Sequence, residues 1–190
     1  MKSGSCRIIG GKWRGRKISF DDAEGLRPTT DRIRETVFNW LQPYVFQSHC
    51  LDMFAGSGAL GFEALSRGAE SVVFIEQNRK TVSSLKANAQ LLATDDVSII
   101  QQDASSWLAD VSSGMSPVRD FDLVFLDPPF HSELLQNSSQ LLESSGCLSE
   151  DAIIYVEHAA EQAFAAPDDW VCLKDKKAGQ VRYQLYERQI

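Results

Sequence analysis

The sequence has few cysteines and histidines and no long apolar run, and each shortage excludes a class of protein. No segment approaches the roughly 20 consecutive apolar residues that a membrane-spanning helix needs, so we expect no membrane span. The first eleven residues, MKSGSCRIIGG, lack the apolar stretch of a secretory signal, which predicts a cytoplasmic protein. The four cysteines and three histidines are dispersed without a CxxC pair, which favours reduced, buried thiols and argues against a metal site.

Charge is distributed unevenly along the chain, although the net charge of −7 alone argues against a nucleic-acid partner. Residues 1–34 carry nine basic and four acidic side chains, a local charge of +5, whereas the other 156 residues sum to −12. A basic arm on an acidic body is typical of a protein that holds a polyanion at one end. A solvated, charged hairpin has the same composition, and charge alone leaves both interpretations open.

The N-terminal part of the chain predicts a small β-hairpin followed by a helix. Strand-like residues at 7–9 and 16–20 flank the turn Gly-Lys-Trp-Arg-Gly. The segment TTDRIRETVFNWL then predicts a helix capped by Thr30 or Asp31, because its apolar residues recur at helical spacing.

From position 49 onward, strand-like and helix-like segments alternate. Strands are predicted at residues 50–53, 71–75, 97–101, 121–126 and 152–156, and helices at residues 59–66, 79–92, 105–111 and 132–143. This alternation predicts a doubly wound, Rossmann-like α/β sheet that is mostly parallel. Two final segments, 170–176 and 181–188, predict an antiparallel hairpin at its edge. We divide the chain into a basic hairpin extension, residues 1–28, and one larger domain, residues 29–190.

The first strand of the alternating part ends in LDMFAGSGALG, at the carboxyl end where ligands of such sheets bind. Asp52 and Phe54 precede a glycine turn, in which Gly56 and Gly58 let the backbone bend tightly and approach a ligand. With Gly61 these glycines satisfy the dinucleotide pattern GxGxxG, which by itself is weak evidence for a cofactor.

Two further acids follow the next two strands. Glu76 lies 20 residues after Gly56, where a carboxylate can accept hydrogen bonds from both ribose hydroxyls of NAD or S-adenosylmethionine. Asp103 and the N–H of Ala104 could read an adenine edge, although an aspartate here is also a good helix cap. Asp52 decides between the cofactors, because a carboxylate ahead of the glycine turn repels a pyrophosphate and attracts an ammonium group. Together the acids favour S-adenosylmethionine.

The fourth strand ends in DLVFLDPPF, and we name its last four residues, Asp127–Phe130, the DPPF lip. Asp127 and the Pro128 carbonyl can accept both hydrogens of an exocyclic amine on a nucleobase, which frees the nitrogen lone pair. Phe130 can stack on the base, while Pro128 and Pro129 hold these groups rigidly. Methyl transfer then requires mainly alignment of the amine with the sulfonium methyl group, on a base that is unpaired or flipped out. A strand-ending turn with a buried ring is the alternative.

The order DMFAGSGALG, IEQN, QQDA and DPPF resembles the class I S-adenosylmethionine-dependent methyltransferases that act on exocyclic amines. The segments RIIGGKWRGRK and RPTTDRIRETVFNWL are similar to the bacterial small-subunit ribosomal RNA guanine-N2 methyltransferases, and the resemblance runs from about Arg7 to about Tyr186. It implies N2-methylguanosine in 16S rRNA as the product and an assembled or partly assembled small ribosomal subunit as the substrate. We also expect the enzyme to be a monomer. It also implies cofactor contacts at Asp52, Phe54, Gly56, Gly58, Glu76 and Asp103.

The resemblance gives the basic arm a role in RNA binding. The predicted RNA-binding residues are Lys12, Trp13, Arg14, Arg16, Lys17 and Arg32. Their cationic groups would face phosphates, and Trp13 either stacks on an unpaired base or packs inside the hairpin. Arg34 is expected to extend this track, and Thr29 and Thr30 either line the cofactor entrance or cap the helix.

Two other functions share parts of this pattern. An adenine-N6 methyltransferase of DNA or RNA has the same kind of lip, but 190 residues leave no obvious separate DNA-recognition domain. An RNA-binding assembly factor could keep a vestigial cofactor pocket, but the motifs here look complete. An NAD dehydrogenase would need a hydride-transfer site, and the sequence contains none that we recognise.

Overall fold

The described part of the chain forms a seven-stranded sheet, helices on both of its faces, and a separate two-stranded hairpin. The structure, a computed structural model, describes residues 3–21, 30–115, 120–130 and 133–190. The strands are β1 (Ser3–Arg7), β2 (Lys17–Asp21), β3 (His49–Asp52), β4 (Ser71–Glu76), β5 (Val97–Gln101), β6 (Phe121–Leu126), β7 (Leu148–Ala159), β8 (Trp170–Ala178) and β9 (Val181–Arg188). The helices are α1 (Asp31–Trp40), α2 (Ala59–Ser66), α3 (Arg79–Leu92), α4 (Ala104–Ser112) and α5 (Leu134–Ser144), with a 3-10 turn at Gly11–Trp13.

The strand order confirms the predicted sheet. The order is β5-β4-β3-β6-β7-β9-β8, in which β3 to β7 run parallel and β9 pairs antiparallel with both β7 and β8. The order reverses between β3 and β6, and such a switch point opens a crevice at the carboxyl ends of the strands.

Two apolar clusters pack against the two faces of the sheet. Helices α1, α2 and α3 cover one face, while α4 and α5 cover the other. The side chains of β6 alternate between the clusters, with Leu123 and Phe125 on the first side and Val124 and Leu126 on the second. A strand covered on both faces is apolar at nearly every position, which explains the run Leu123–Leu126 in the sequence.

Side-chain caps fix where several helices begin. Thr30 caps α1 through its hydroxyl, which accepts the Ile33 N–H at 3.4 Å. Asn78 caps α3 by accepting the Lys80 N–H at 2.9 Å. Each cap satisfies an N–H group that the first turn of a helix leaves without an intrahelical partner.

Strand β7 is longer than the prediction of residues 152–156. It runs from Leu148 to Ala159 and continues past the end of β6, because β9 supplies partners for Glu157, His158 and Ala159. The extension brings the last residues of β7 beside the crevice.

The hairpin of β1 and β2 is fastened to α2 by side-chain hydrogen bonds. The fully buried Glu63 accepts the N–H groups of Ile9 at 2.7 Å and Gly10 at 2.8 Å. The strand predicted at residues 7–9 is wrong in its bounds, because β1 runs from Ser3 to Arg7 and Ile9 bonds to α2 instead. The Ser66 hydroxyl adds a bond from the Trp13 N–H at 2.9 Å.

Arg34 corrects the prediction of a surface track along α1. Its side chain is fully buried, and its Nη2 donates to the Arg7 carbonyl at 2.8 Å and to Asp31 at 2.6 Å. Arg34 therefore joins α1 to the hairpin and does not face solvent.

Two further predictions concern boundaries and membranes. The boundary predicted between residues 28 and 29, and with it Thr29, lies outside the described residues. Across the described ranges, none of the helices has both the length and the apolar character to cross a bilayer.

Candidate active site

A cavity of about 900 Å³ lies at the carboxyl ends of the parallel strands. The loops after β3, β4, β5 and β6 line it, together with α1, the end of β7 and the turn between β8 and β9. Of the predicted cofactor and lip residues, those lining it are Asp52, Phe54, Gly56, Glu76, Asp103, Ala104, Asp127, Pro128, Pro129 and Phe130. The fold thus brings side chains from four strand ends to one space.

The glycine turn after β3 depends on backbone angles that favour glycine. Gly56 has φ of +48° and lines the cavity, and Gly58 has φ of +76° and precedes α2. A Cβ at Gly58 would lie 2.6 Å from the Leu85 side chain and 2.7 Å from the Phe62 ring. Gly58 is not among the residues that line the cavity, so its evident role is to let the turn enter the helix.

Asp52 lies at the end of β3 and is 2% exposed. Its Oδ2 accepts the Gly61 N–H at 3.2 Å, near the N-terminus of α2. Burial raises the pKa of Asp52 to about 7, and the nearby charge of Glu76 adds to the rise, whereas hydrogen bonds from the Gly61 and Phe54 N–H groups oppose it. A bound cation stabilises the ionised form of a buried carboxylate at the cavity wall, because its charge offsets the cost of desolvation.

Glu76 ties the glycine turn to the loop after β4. Its Oε2 accepts the Gly56 N–H at 3.1 Å, and its Oε1 accepts the Asn78 N–H at 2.7 Å. These two bonds fix the carboxylate at the cavity wall, and each oxygen retains a second lone pair for a ligand hydroxyl.

Asp103 is a helix cap, as the alternative interpretation of the sequence expects. Its Oδ1 accepts the Ser106 N–H at 3.0 Å, which starts α4. The residue is exposed and lines the cavity beside Ala104, and the cap does not engage Oδ2. Capping and ligand binding are therefore compatible at this position.

The DPPF lip borders the cavity where β6 ends. Pro128 is buried and Pro129 is exposed, while Asp127 and Phe130 are half-buried. Phe130 packs partly against the core cluster that contains Phe125 and Tyr155. The lip therefore packs on the core through Phe130 and also lines the cavity.

Of the six predicted RNA-binding residues, all within the described part of the chain, Arg32 lines the cavity and the other five do not. Lys12, Arg14, Arg16 and Lys17 are exposed, and the Arg16 guanidinium donates to the Leu91 carbonyl at 2.7 Å. Trp13 is only 8% exposed, with the Lys12 ammonium 4.3 Å from its ring centroid. In this conformation Trp13 packs the hairpin and its ring is not presented for stacking.

Sequence reasoning missed several residues at the cavity. Glu157 and Tyr183 line it from β7 and β9, and Lys176 and Lys177 line it from the end of β8. The segment KDKKAGQ spans the turn of the hairpin predicted at residues 170–188, and the sequence analysis gave it no role at the site. Only the pairing of β9 with β7, which the local pattern cannot specify, brings these residues to the crevice.

The fold and the site together define a class I methyltransferase. The parallel sheet with an antiparallel edge hairpin, the glycine turn after β3 and the acids at successive strand ends are the features of that class. The chain belongs to the family described as Conserved hypothetical protein 95, which matches residues 6–187.

Named relatives and a solved structure agree with this assignment. The chain is 46% identical over 186 residues to the ribosomal RNA small subunit methyltransferase D of Haemophilus influenzae, covering 97% of this chain and 94% of that protein. It is 46% identical over 188 residues to the protein of the same name from Escherichia coli, covering 98% and 92%. The solved structure of the Escherichia coli protein yhhF has a TM-score of 0.89 and 43% identity, covering 98% of this chain and 99% of that chain.

Proposed function

We propose that this protein transfers the methyl group of S-adenosylmethionine to the exocyclic N2 amine of a guanine in 16S rRNA. The observation that carries the proposal is that the DPPF lip and three carboxylates at strand ends line one cavity. Two relatives of nearly full-length overlap carry the name ribosomal RNA small subunit methyltransferase D, which supports an rRNA substrate.

The residues at the cavity wall fit S-adenosylmethionine. Glu76 offers a fixed carboxylate to the ribose hydroxyls, and Asp52 offers a buried negative charge to the amino-acid ammonium group. Asp103 and the N–H of Ala104 form a donor and acceptor pair for the adenine edge. A pyrophosphate-containing cofactor fits less well, because the Asp52 charge would repel it.

The lip residues would prepare the amine for attack. When bound, the cofactor supplies a sulfonium-activated methyl group. The Asp127 carboxylate and the Pro128 carbonyl accept the two amine hydrogens, so the nitrogen lone pair is turned toward the methyl carbon. Transfer to the amine would form the N–C bond as the C–S bond breaks, and Asp127 or water would take the excess proton. Phe130 holds the base in plane by stacking.

The basic arm would hold the RNA around the flipped base. Arg14, Lys17 and Lys12 present exposed charge on the hairpin, and Arg32 brings a cation to the cavity itself. Phosphate contacts of this kind position an RNA without reading its sequence. We propose a small ribosomal subunit, assembled or in assembly, as the bound form of the RNA, and a monomeric enzyme in the bacterial cytoplasm.

Tritiated methyl transfer from S-adenosylmethionine tests the proposal. Naked 16S rRNA, small ribosomal subunits and duplex DNA are offered in parallel, and the labelled nucleoside is identified after digestion. We expect label in N2-methylguanosine from one of the two RNA substrates and none in DNA. Label in N6-methyladenosine would support the adenine enzyme, and no label in any acceptor would support the assembly factor.

A further inference from the structure

Glu157 is a buried acid at the cavity wall with no role in the mechanism above. It lines the cavity, is 3% exposed, and lies on the part of β7 that extends beyond β6. Its Oε2 accepts a hydrogen bond from the Tyr155 hydroxyl at 2.6 Å. A buried carboxylate at a cavity wall can accept a hydrogen bond from a ligand in addition to the one from Tyr155, because each oxygen has two lone pairs.

The strand register brings Glu157 next to the DPPF lip. Leu126 and Val156 form the last pair between β6 and β7. Asp127 and Glu157 are the residues that follow them. Neighbouring strands lie about 4.8 Å apart, so two acids follow side by side at this edge. Burial raises the pKa of Tyr155 well above its ordinary value, and the charges of Glu157 and Asp127 raise it further, which places both acids near one phenol.

A second acid beside the amine-gripping lip matches one nucleobase edge. Guanine carries the N1–H donor directly beside its 2-amino group, whereas adenine carries an N1 acceptor beside its 6-amino group. A carboxylate facing N1 accepts a hydrogen bond from guanine and repels the lone pair of adenine. Flipped bases are read by hydrogen bonds on this Watson–Crick edge.

We propose that Glu157 selects guanine by accepting the N1–H of the flipped base while the DPPF lip holds its 2-amino group. This inference rests on the proposed methyl transfer and deepens it by naming the residue that distinguishes guanine from adenine. Tyr155 acts as a positioning residue, because its hydroxyl donates to Oε2 and so orients the carboxylate. Tyr183, paired with Glu157 across β7 and β9, lines the same wall.

The test exchanges donor and acceptor at N1 of the base and at the side chain of residue 157. In 2-aminopurine the 2-amino group remains, but N1 is an acceptor. In Glu157→Gln the oxygen would stay on the Tyr155 hydroxyl, and the amide N–H would face N1. Small subunits are reconstituted with 16S rRNA carrying guanine or 2-aminopurine at the mapped target position, joined by splinted ligation, and kcat/KM for tritium transfer is measured.

We expect the wild type to prefer guanine by at least about 100-fold, since a site built to bond a substrate N–H rejects an analogue that lacks it. We expect Glu157→Gln to shift the guanine to 2-aminopurine ratio toward 2-aminopurine by at least about 100-fold. The matched control is Glu150→Gln, the same substitution at an exposed position of β7, which should leave the ratio unchanged.

Three other outcomes of this assay would contradict the proposal or the function on which it rests. Equal turnover of the two substrates by the wild type would show that N1 is not read, whatever the variant does. An equal loss on both substrates in Glu157→Gln would mean that Glu157 only supports the fold around Tyr155. Absence of transfer to the guanine substrate by the wild type would overturn the proposed function itself.

Discussion

Replacing Asp52 by Asn tests the electrostatic role of the cofactor wall, because Asp52 is buried with a pKa of about 7. Asn keeps an oxygen for the Gly61 N–H but cannot ionise. In the unfolded chain the carboxyl group titrates near 3.8, so the folded protein binds the proton more tightly. Stability is therefore greatest below the unfolded value and is lost as the pH rises toward and through the folded value.

The size of this effect follows from the pKa difference. At about 1.4 kcal/mol per pH unit, raising the pH from 5 to 8 should cost the ligand-free wild type about 2–3 kcal/mol relative to the variant. Urea unfolding of both proteins at pH 5, 6, 7 and 8 measures this difference. Asp52→Asn should gain stability relative to the wild type across the series.

Affinity for the cofactor should rise with pH, whereas the stability of the ligand-free protein falls. A bound ammonium group stabilises ionised Asp52, so binding releases a proton below pH 7, and affinity for S-adenosylmethionine falls by up to about tenfold per unit as the pH decreases. Titration calorimetry should show this slope in the wild type and a weaker, pH-independent affinity in Asp52→Asn. S-adenosylhomocysteine, which keeps the ammonium and lacks the sulfonium, should show the same slope. Parallel pH profiles for the two proteins, in unfolding and in binding, would refute the assignment.

Three further predictions concern the lip, the basic arm and the core. Asp127→Ala should lower kcat for methyl transfer by about 100-fold or more with unchanged cofactor affinity, and Asp127→Asn, which keeps one acceptor, should lose less; unaltered turnover would contradict the mechanism. Arg14→Ala with Arg16→Ala should weaken RNA binding and reduce the magnitude of its logarithmic salt slope by about one to two, whereas Lys at both positions should keep the slope; equal slopes in all three proteins would make the arm a plain solvated surface. Gly61→Ala should lower the free energy of unfolding by about 2 kcal/mol, because its Cβ would lie 2.3 Å from the Phe74 ring and this outweighs the better helix propensity of Ala. A more stable Gly61→Ala variant would mean that the ring moves freely.

The sheet could be predicted from the sequence because its signals are local. Strand β6, buried on both faces, is nearly all apolar, and α2 and α3 begin and end at the predicted residues. The Rossmann-like sheet also has a simple rule that puts ligands at the carboxyl ends of its strands. The cofactor acids and the lip could therefore be assigned to one edge before their geometry was known.

The features that sequence reasoning missed depend on long-range contacts. Arg34 has the spacing of a surface residue, but its partner carbonyl belongs to Arg7, on another element. For Trp13 the sequence left stacking and packing open, and packing is decided by the docking of the hairpin on α2 through Glu63 and Ser66. Glu157 reaches the cavity only because β9 extends β7 beyond the end of β6.

Nucleoside mass spectrometry of 16S rRNA tests the central claim most directly, in a strain that lacks the gene and carries either the wild type or Asp127→Ala on a plasmid. The account predicts that one N2-methylguanosine is lost with the gene, returns with the wild type and does not return with the variant. Full retention of every N2-methylguanosine in the deletion strain, or its return with Asp127→Ala, would contradict it.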